Sequence, residues 1–301
     1  MQMQGRILRG ISSFYTVEAD GQLYTCKARG VLRKQGITPL PGDLVRFAPG
    51  AQGEEGTVDE ILPRRNALCR PPVANIDRLF IVVSVCEPNP NPLVIDRLTA
   101  IAEQKEIEPL IVVTKSDLGD PTALLKIYEK AGFTTFCISP TAQGDIEQIR
   151  NALSDKVSAF TGNSGVGKST LLNAIDPALC IATAEISQKL GRGRHTTRHV
   201  ELYKTCGGYV ADTPGFSALD FEKGEFIHKD ELPYCFREFE PYLGACRFVS
   251  CAHTRDSGCR IVQAVQDGEI SASRHDSYIA LYDEAKLVKD WQRKATPHCP
   301  K

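Results

Sequence analysis

One run of residues, 162–169, has the composition and spacing of a phosphate-binding loop. Two glycines enclose a four-residue spacer and are followed by Lys168 and Ser169. In such a loop the backbone N–H groups surround the β-phosphate, the lysine neutralises β- and γ-phosphate oxygens, and the serine hydroxyl binds Mg²⁺. Lys168 would also stabilise charge that develops during phosphoryl transfer, which makes it a candidate catalytic residue. The predicted nucleotide-binding residues here are Gly162, Asn163, Ser164, Gly165, Val166, Gly167, Lys168, Ser169 and Thr170.

The segments on either side of this loop have the patterns that phosphate binding needs. Residues 156–161 predict a strand that enters the loop, and residues 169–175 predict a helix that leaves it. The helix N-terminus would add its partial positive charge to the site. The alternative is a glycine-rich turn that contains Lys-Ser by chance, and the strand, spacing and helix together argue against it.

A second motif, Asp-Thr-Pro-Gly at residues 212–215, follows the apolar segment 209–211. Asp212 would add an acid to the Mg²⁺ shell, and the N–H of Gly215 could contact a γ-phosphate. Taken alone, the motif is an ordinary Pro-Gly turn after a strand. Its position downstream of the phosphate loop favours the interpretation that it is the second motif of a nucleotide switch, the one on the side of the metal ion.

A third motif could read the base. Thr114, Lys115, Ser116 and Asp117 end the apolar run 109–113, so they should lie at the carboxyl end of a buried parallel strand, where ligands bind in α/β sheets. The Asp117 carboxylate can accept hydrogen bonds from the N1–H and 2-amino groups of guanine, and adenine offers no such donor pair. Ser139 follows a short predicted strand at 136–138 and is a second candidate base contact, or only a turn residue.

The order of these motifs is inverted, because the base motif normally follows the phosphate loop and here precedes it. Sheet packing does not depend on chain order when the original termini lie close together at the surface. The inversion therefore leaves the chemistry of the site unchanged. It alters the connectivity, because the chain now runs from the Asp-Thr-Pro-Gly motif directly into the C-terminal region.

Near the C-terminus, Cys246, Cys251, His253 and Cys259 offer three thiolates and one imidazole within a short segment. Such a set suits one closed tetrahedral Zn²⁺ site of the structural type. The alternative is buried free cysteine, since the chain has 11 Cys, but polar residues surround the cluster and do not resemble a core. Cysteine clusters without a secretory signal more often indicate metal or redox chemistry than disulfides. Arg247, Arg255 and Arg260 lie in or beside the cluster and suit an RNA backbone.

The two ends of the chain predict different structures. Short alternating strands at 6–11, 14–17, 23–26 and 43–47, separated by turns, indicate a small β-barrel, for which an oligonucleotide-binding barrel is one form. Segments 261–270 and 277–294 predict helices. In the second helix, Tyr278, Leu281 or Tyr282, Ala285, Val288 and Trp291 recur at helical spacing, which favours core packing over an RNA-stacking platform.

Composition sets further bounds. The 301 residues carry 36 Lys and Arg against 37 Asp and Glu, so the chain is not a general polyanion binder and any RNA contact should be local. The apolar share of 42% is ample for the packed cores of two or three domains. No apolar run approaches the length of a membrane span, and the first residues lack a targeting core. We expect a cytoplasmic monomer without membrane contact.

Together these motifs resemble the ribosome small-subunit-dependent GTPase A family (RsgA, also called YjeQ or YloQ), whose GTPase elements run in circularly permuted order. The resemblance extends to residues 70–77, to residues 191–197 between the two phosphate-side motifs, and to the spacing of the cysteine cluster. It implies a multidomain α/β fold: an OB-like β-barrel at 1–67, a circularly permuted P-loop GTPase domain at 68–222, and a zinc-binding domain with C-terminal helices at 223–301.

The resemblance also implies roles that the residues alone do not. Mg²⁺ would be held by Ser169, Thr197 and Asp212, although the sequence leaves open whether Thr196 or Thr197 is the ligand. His195 is a candidate for orienting the attacking water, with a solvated loop histidine as the alternative. Two positions depart from the general GTPase pattern: Thr114 replaces an Asn that ties the base loop to the phosphate loop, and Phe216 replaces a water-orienting Gln.

The sequence therefore predicts a GTP hydrolase that binds GTP or GDP with one Mg²⁺ and carries one structural Zn²⁺. Slow intrinsic turnover is expected without a positioned water, so a partner should complete the site. The resemblance supplies that partner as the small ribosomal subunit and its rRNA, with a role in late subunit maturation and rRNA contacts through the barrel and zinc domains. The alternatives are a P-loop kinase and a nucleotide-regulated nucleic-acid-binding protein not tied to the ribosome.

Overall fold

The computed structural model describes residues 2–34, 36–51, 54–139, 143–179, 200–212 and 225–288. The N-terminal strands form a closed barrel in the order β1-β2-β3-β5-β4-β1, antiparallel except for the β3–β5 pair. Its elements are β1 (Met3–Ile11), β2 (Phe14–Ala19), β3 (Gln22–Ala28), α1 (Gly30–Lys34), β4 (Leu44–Ala48) and β5 (Gly56–Ile61). The predicted barrel is confirmed.

The barrel core consists of side chains that alternate along the strands. Strands β1, β2 and β3 each contribute one side chain that is 0% exposed, and β4 contributes two. These side chains are Ile7, Val17, Cys26, Val45 and Phe47. The fifth strand, β5, was not among the predicted segments. It pairs in parallel with β3 and in antiparallel with β4, both distant along the chain, so its formation depends on closure of the barrel.

The central part of the chain forms a mostly parallel sheet that helices cover on both faces. Its strand order is β10-β9-β8-β11-β13-β12, with β12 antiparallel to β13. The strands are β8 (Arg78–Ser84), β9 (Glu108–Thr114), β10 (Thr134–Cys137), β11 (Val157–Thr161), β12 (Glu201–Thr205) and β13 (Gly208–Asp212). The helices are α2 (Pro92–Gln104), α3 (Thr122–Lys130), α4 (Gln143–Leu153) and α5 (Lys168–Ile175), and the hairpin β6 (Ala67–Cys69) and β7 (Pro72–Ala74) precedes the sheet.

Sequence explains why these strands lie inside. Strands β8, β9 and β11 are rich in Val, Ile, Leu, Phe and Ala and are almost wholly buried, as expected for parallel strands covered on both faces. Helix α2 begins at Pro92 after Asn91, whose side chain accepts a hydrogen bond from the backbone N–H of Leu93. Two apolar cores result, one on each face of the sheet.

The barrel joins this sheet at one edge. Strand β1 pairs with β12 through Arg9 and Glu201, beyond the point where β1 leaves β4. The Glu18 carboxylate of β2 accepts hydrogen bonds from Lys204 at 2.7 Å and from the Tyr209 hydroxyl. Barrel and sheet therefore form one continuous β-layer across their junction.

The C-terminal region packs on the opposite side of α2. It contains two short 3₁₀ helices, Leu232–Cys235 and Arg237–Tyr242, followed by α6 (Arg260–Gln266) and α7 (Ala272–Leu287). Its core includes Phe236, Phe239, Tyr278 and Leu281 together with Ile101 of α2. Burial of Tyr278, Leu281 and Ala285 confirms that this part of the α7 stripe is core. The helix begins five residues before the predicted start at 277 and ends at Leu287, so Val288 lies beyond it in extended backbone, and Trp291 lies outside the described residues.

The domain boundaries near 67 and 222 stay predictions. Within the described part of the chain, no helix combines the length and apolar character needed to cross a bilayer.

Candidate functional site

The nucleotide motifs, far apart in the chain, meet at one edge of the central sheet. Ser139 follows β10, Thr114 ends β9, the phosphate loop follows β11, and Asp212 ends β13. These strands are parallel neighbours, so their carboxyl ends lie side by side. The chain proceeds from β8 outward to β10, then returns to the other side of β8 as β11. That reversal is the topological switch point at which open α/β sheets bind ligands.

The phosphate loop has the backbone that its glycines allow. Gly162, Gly165 and Gly167 have φ of 150°, 83° and 94°, values that side chains rarely adopt. A Cβ on Gly162 would lie 2.2 Å from the carbonyl oxygen of Val82, so this position is closed to any larger residue. Gly167 caps α5, and the free N–H groups of the first helical turn face the loop.

Lys168 lies inside this loop. Its ammonium donates hydrogen bonds to the carbonyl oxygens of Gly162, at 2.5 Å, and Asn163, at 2.8 Å. Burial lowers the pKa of Lys168 to about 8, because the surrounding protein solvates the charge poorly. An anionic phosphate in the loop would favour the charged form, so the site is matched to a phosphorylated ligand.

The base motif and the phosphate loop are tied together directly. The Thr114 hydroxyl lies 2.6 Å from the carbonyl oxygen of Val166 and 3.1 Å from that of Val83. The hydroxyl has one proton, and the shorter contact to the phosphate loop is the stronger one. Thr114 thus makes the connection between the two loops that the general GTPase pattern assigns to an Asn.

The rest of the base motif turns outward at the site. Lys115 has a positive φ of 58°, and its ammonium donates to the carbonyl oxygen of Glu87 in the loop between β8 and α2. The N–H of Ser116 donates to the Ile138 carbonyl at 3.3 Å, which brings the segment before Ser139 beside the base motif. Asp117 is exposed, with its carboxylate available to a ligand.

One neighbouring loop was not singled out from the sequence. Residues 85–91 lie between β8 and α2, and besides Glu87 they place Pro88 beside the phosphate loop, 3.8 Å from where a Cβ on Gly165 would stand. The Ser84 hydroxyl donates to the Pro88 carbonyl at 2.8 Å and holds this turn.

Several predicted residues cannot be placed. His195, Thr196, Thr197 and Gly215 lie outside the described residues, and of Asp212 only the backbone is described. The magnesium ligands of the switch segments and the water-orienting role of His195 therefore stay predictions.

The predicted metal ligands come together as one cluster. The ligand atoms of Cys246, Cys251, His253 and Cys259 all lie within 4.8 Å of one another. The Cys246 and Cys259 sulfurs are 3.8 Å apart, and they lie 3.5 and 3.6 Å from Nδ1 of His253. A tetrahedral ion with Zn–S bonds of ~2.3 Å and Zn–N bonds of ~2.0 Å requires separations of about 3.8 Å and about 3.5 Å. The donor set thus fits Zn²⁺.

The chemistry of the cluster also favours a cation. Burial, followed by the neighbouring thiols, raises the pKa of Cys251 to about 12, so this thiol would ionise at neutral pH only beside a positive charge. Burial lowers the pKa of His253, which favours the neutral imidazole that binds metals. Helix α7 holds the ligand segment, because Tyr278 and His275 contact the carbonyl oxygens of Ala252 and His253, each at 2.8 Å.

Fold and site together define a circularly permuted GTPase, preceded by a five-stranded barrel and followed by a Cys/His metal-binding cluster. The family model described as RsgA GTPase matches residues 61–222, and the one described as RsgA N-terminal domain matches residues 4–58. The chain belongs to the RsgA GTPase family.

Individual relatives agree with this assignment. The Oceanobacillus iheyensis protein named small ribosomal subunit biogenesis GTPase RsgA 2 is 43% identical over 292 residues, covering 95% of this chain and 98% of the relative. Among solved structures, that of YloQ, a circularly permuted GTPase, superposes with a TM-score of 0.79 at 35% identity, covering 96% of both chains. YjeQ from Thermotoga maritima gives 0.80 at 33% identity, covering 96% of this chain and 100% of its own.

Proposed function

We propose that this chain hydrolyses GTP in response to the small ribosomal subunit and acts in maturation of that subunit. The observation that carries the GTPase part is the junction of base motif and phosphate loop through Thr114 and Val166 at the sheet's switch point. The ribosomal part rests on the relatives, which are named small ribosomal subunit biogenesis GTPases. Membership in a GTPase family speaks against the kinase alternative.

The chemistry assigned to the described residues follows from their positions. Water attacks the γ-phosphorus, the bond to the bridging oxygen breaks, and GDP and inorganic phosphate leave. The Lys168 ammonium and the loop N–H groups stabilise the charge on the phosphate oxygens, and Asp117 selects guanine. Mg²⁺, when bound, supplies additional positive charge at the β- and γ-phosphates. Ser169, in the first turn of α5, offers one hydroxyl ligand, and Asp212, at the neighbouring strand end, would stand in the outer shell.

His195 is proposed as the residue that orients the attacking water, on the strength of the family resemblance. Replacement His195→Ala is expected to leave GTP affinity nearly unchanged and to lower subunit-stimulated turnover, because the role concerns the water and not the nucleotide. Stimulated turnover equal to that of the unaltered chain would remove His195 from the mechanism.

The metal cluster is proposed to hold one structural Zn²⁺ through Cys246, Cys251, His253 and Cys259. Four protein ligands close the coordination sphere, so the ion would fix the fold of the C-terminal segment and bind no substrate. The arginines beside the cluster and the barrel surface are proposed to contact rRNA. We further propose that the protein works in the cytoplasm, where ribosomal subunits mature, as a monomer and away from membranes.

The test is turnover of GTP and of ATP, with and without purified small subunits, and with large subunits as a control. Strong stimulation confined to GTP and to small subunits is the expected result. Slow GTP turnover that does not change when subunits are added would support the GTPase activity and contradict the ribosomal role. A preference for ATP would overturn the role of Asp117 in selecting guanine. Asp117→Asn serves as a matched variant, since an amide cannot accept both guanine donors and should weaken GTP binding without unfolding an exposed position.

A further inference from the structure

The loop between the first two cysteines of the metal cluster carries an unusual tip. Phe248 is 52% exposed and Val249 is 109% exposed, so two apolar side chains project from a loop whose ends are both metal ligands. All four residues between Cys246 and Cys251 are exposed. An exposed apolar pair at the end of a constrained loop indicates a contact made with another molecule.

The charge around this tip points to the chemistry of that molecule. Arg247, Arg255 and Arg260 are exposed, and none has a carboxylate within ion-pair distance in the described part of the chain. Several arginines elsewhere are paired with carboxylates: Arg9 with Glu201, Arg46 with Glu60 and Arg97 with Glu284. Arg247 lies beside the exposed Phe248 ring, and Arg255 and Arg260 belong to the same segment 246–260, in which Asp256 is the one acidic residue. This segment therefore carries a local excess of positive charge that suits a polyanion, in a chain whose overall charge is −1.

The tip is held in place by the backbone of the cluster. The N–H of Arg247 donates to Gly258 at 3.2 Å, the N–H of Cys251 donates to Phe248 at 3.2 Å, and the N–H of Arg260 lies 3.4 Å from the Cys246 sulfur. The Arg247 guanidinium stands 5.4 Å from the centre of the Phe248 ring. A loop fixed in this way loses little conformational entropy when it binds.

We propose that Phe248, supported by Arg247 and flanked by Val249, is a stacking site for an unpaired RNA base. Aromatic rings and arginine planes are the surfaces on which proteins stack splayed bases, and neighbouring arginines hold the phosphates. The apolar tip is small and the Arg247 guanidinium lies against its ring, which suits a base better than the apolar core of a protein interface. This inference rests on the proposed function. It specifies that the loop contacts single-stranded nucleotides of the rRNA and not double-stranded RNA.

The experiment measures the affinity of the full-length, metal-loaded protein for small subunits. Binding is measured in the presence of a non-hydrolysable GTP analogue and at several salt concentrations. Phe248→Ala is expected to weaken binding roughly 5- to 150-fold, the range of one lost base stack, by a similar factor at every salt concentration. Arg255→Ala should reduce the slope of log affinity against log salt by about 1, as one lost phosphate contact does. Tyr234→Ala is the matched control, since Tyr234 is an aromatic residue that is 74% exposed and belongs to the 3₁₀ helix Leu232–Cys235, outside the loop.

A replacement series separates stacking from apolar contact. Phe248→Trp should bind at least as well as the unaltered chain, and Phe248→Leu should bind nearly as weakly as Phe248→Ala, because leucine has no flat ring. Equal binding by Phe248→Leu and the unaltered chain would assign the tip to a protein pocket and overturn the proposal, as would a change below twofold in Phe248→Ala. One zinc per chain and unchanged melting temperature show that the variants fold.

The outcome also separates this inference from the proposed function. If the unaltered chain is stimulated by subunits and Phe248→Ala binds equally well, only the stacking site is wrong. If the unaltered chain neither binds subunits nor responds to them, the proposed function and the stacking site fail together.

Discussion

At the proposed nucleotide site a single hydroxyl joins the predicted base motif to the predicted phosphate loop. Thr114 is 6% exposed, and its donor bond to the Val166 carbonyl crosses between two loops that are 52 residues apart in the chain. Threonine replaces the usual Asn at this position without losing the connection, because the short side chain of a buried strand end reaches the neighbouring loop directly. One hydrogen bond therefore holds the predicted base motif and the predicted phosphate loop together.

Removal of that bond should weaken nucleotide binding. Thr114→Val keeps the shape of the side chain and leaves the Val166 carbonyl without its donor, which costs about 1–3 kcal/mol for a buried polar group. We expect the free energy of unfolding, measured by urea denaturation, to fall by about 1–3 kcal/mol. GDP affinity, measured by titration with a fluorescent nucleotide, should fall as well because the two loops lose their alignment. Thr114→Ser retains the hydroxyl and serves as the control; if valine and serine bind alike, the bond does not hold the two loops.

The titration of Lys168 leads to a second prediction, which concerns the pH dependence of GDP affinity. Its pKa in the nucleotide-free protein is lowered to about 8 by burial, and phosphate binds the protonated form. The ammonium is present below this pKa and lost above it, so GDP affinity should fall as pH rises, by about tenfold from pH 7 to pH 9. Lys168→Met should bind weakly with a flatter profile. Equal slopes in the two proteins would place the titration on another group.

Among the secondary-structure elements, α2 is shared between two cores. One face packs Ile95 and Leu98 against the central sheet, and the other packs Ala100 and Ile101 into the C-terminal region. A buried ion network joins the helix to α7: the Arg274 guanidinium donates to Asp96 at 2.8 Å and to Glu238 at 2.7 Å. Burial acts to lower the pKa of Arg274, but the two carboxylates outweigh it and keep the side chain charged.

Loss of this arginine should be among the more damaging single changes. Arg274 is 0% exposed, so Arg274→Met would leave two buried carboxylates without their counter-ion, a change that costs about 3–5 kcal/mol. Urea denaturation of the variant and of the unaltered chain gives the difference in the free energy of unfolding. Lys286→Ala, on the same helix, breaks an exposed pair with Asp283 and should cost less than about 1 kcal/mol. Similar small losses in both variants would show that the network does not hold α2 to α7.

For the whole molecule, the metal cluster and α7 link the C-terminal region to the rest of the chain. Helix α7 contacts α2 through Arg274 and the ligand segment through His275 and Tyr278. Order at the cluster is thus connected to the GTPase domain by successive residues of one helix. The barrel joins the molecule by a different route, through pairing of β1 with β12 at the edge of the sheet.

Metal removal should therefore act on one end of the molecule. Chelation is expected to release one Zn²⁺ per chain and to expose the C-terminal region to proteolysis, because the cluster supplies much of its order. Strands β1 to β5 should keep their hydrogen-exchange protection. Cys251→Ser should reproduce the loss, and Cys137→Ser, which alters a thiol outside the cluster, should not. A chelated protein with unchanged protection at residues 246–259 would contradict a structural role for the ion.

The sequence by itself determined the features that depend on local pattern and spacing. The phosphate loop with its strand and helix, the base motif, the four metal ligands and the barrel strands β1 to β4 were all predicted, because each arises from residues within a short segment. Strand ends differed by only a few residues, as for β11, which was predicted from residue 156 and begins at Val157.

Only the tertiary structure decided how distant residues meet. Strand β5 needs partners from elsewhere in the barrel, and Arg274 lies in a polar segment whose sequence gives no sign of burial until Asp96 and Glu238 converge on it. The Thr114 bond likewise joins two loops that no local pattern connects. Local pattern fixes which residues can do chemistry, and the packing of elements far apart in the chain fixes which of them touch.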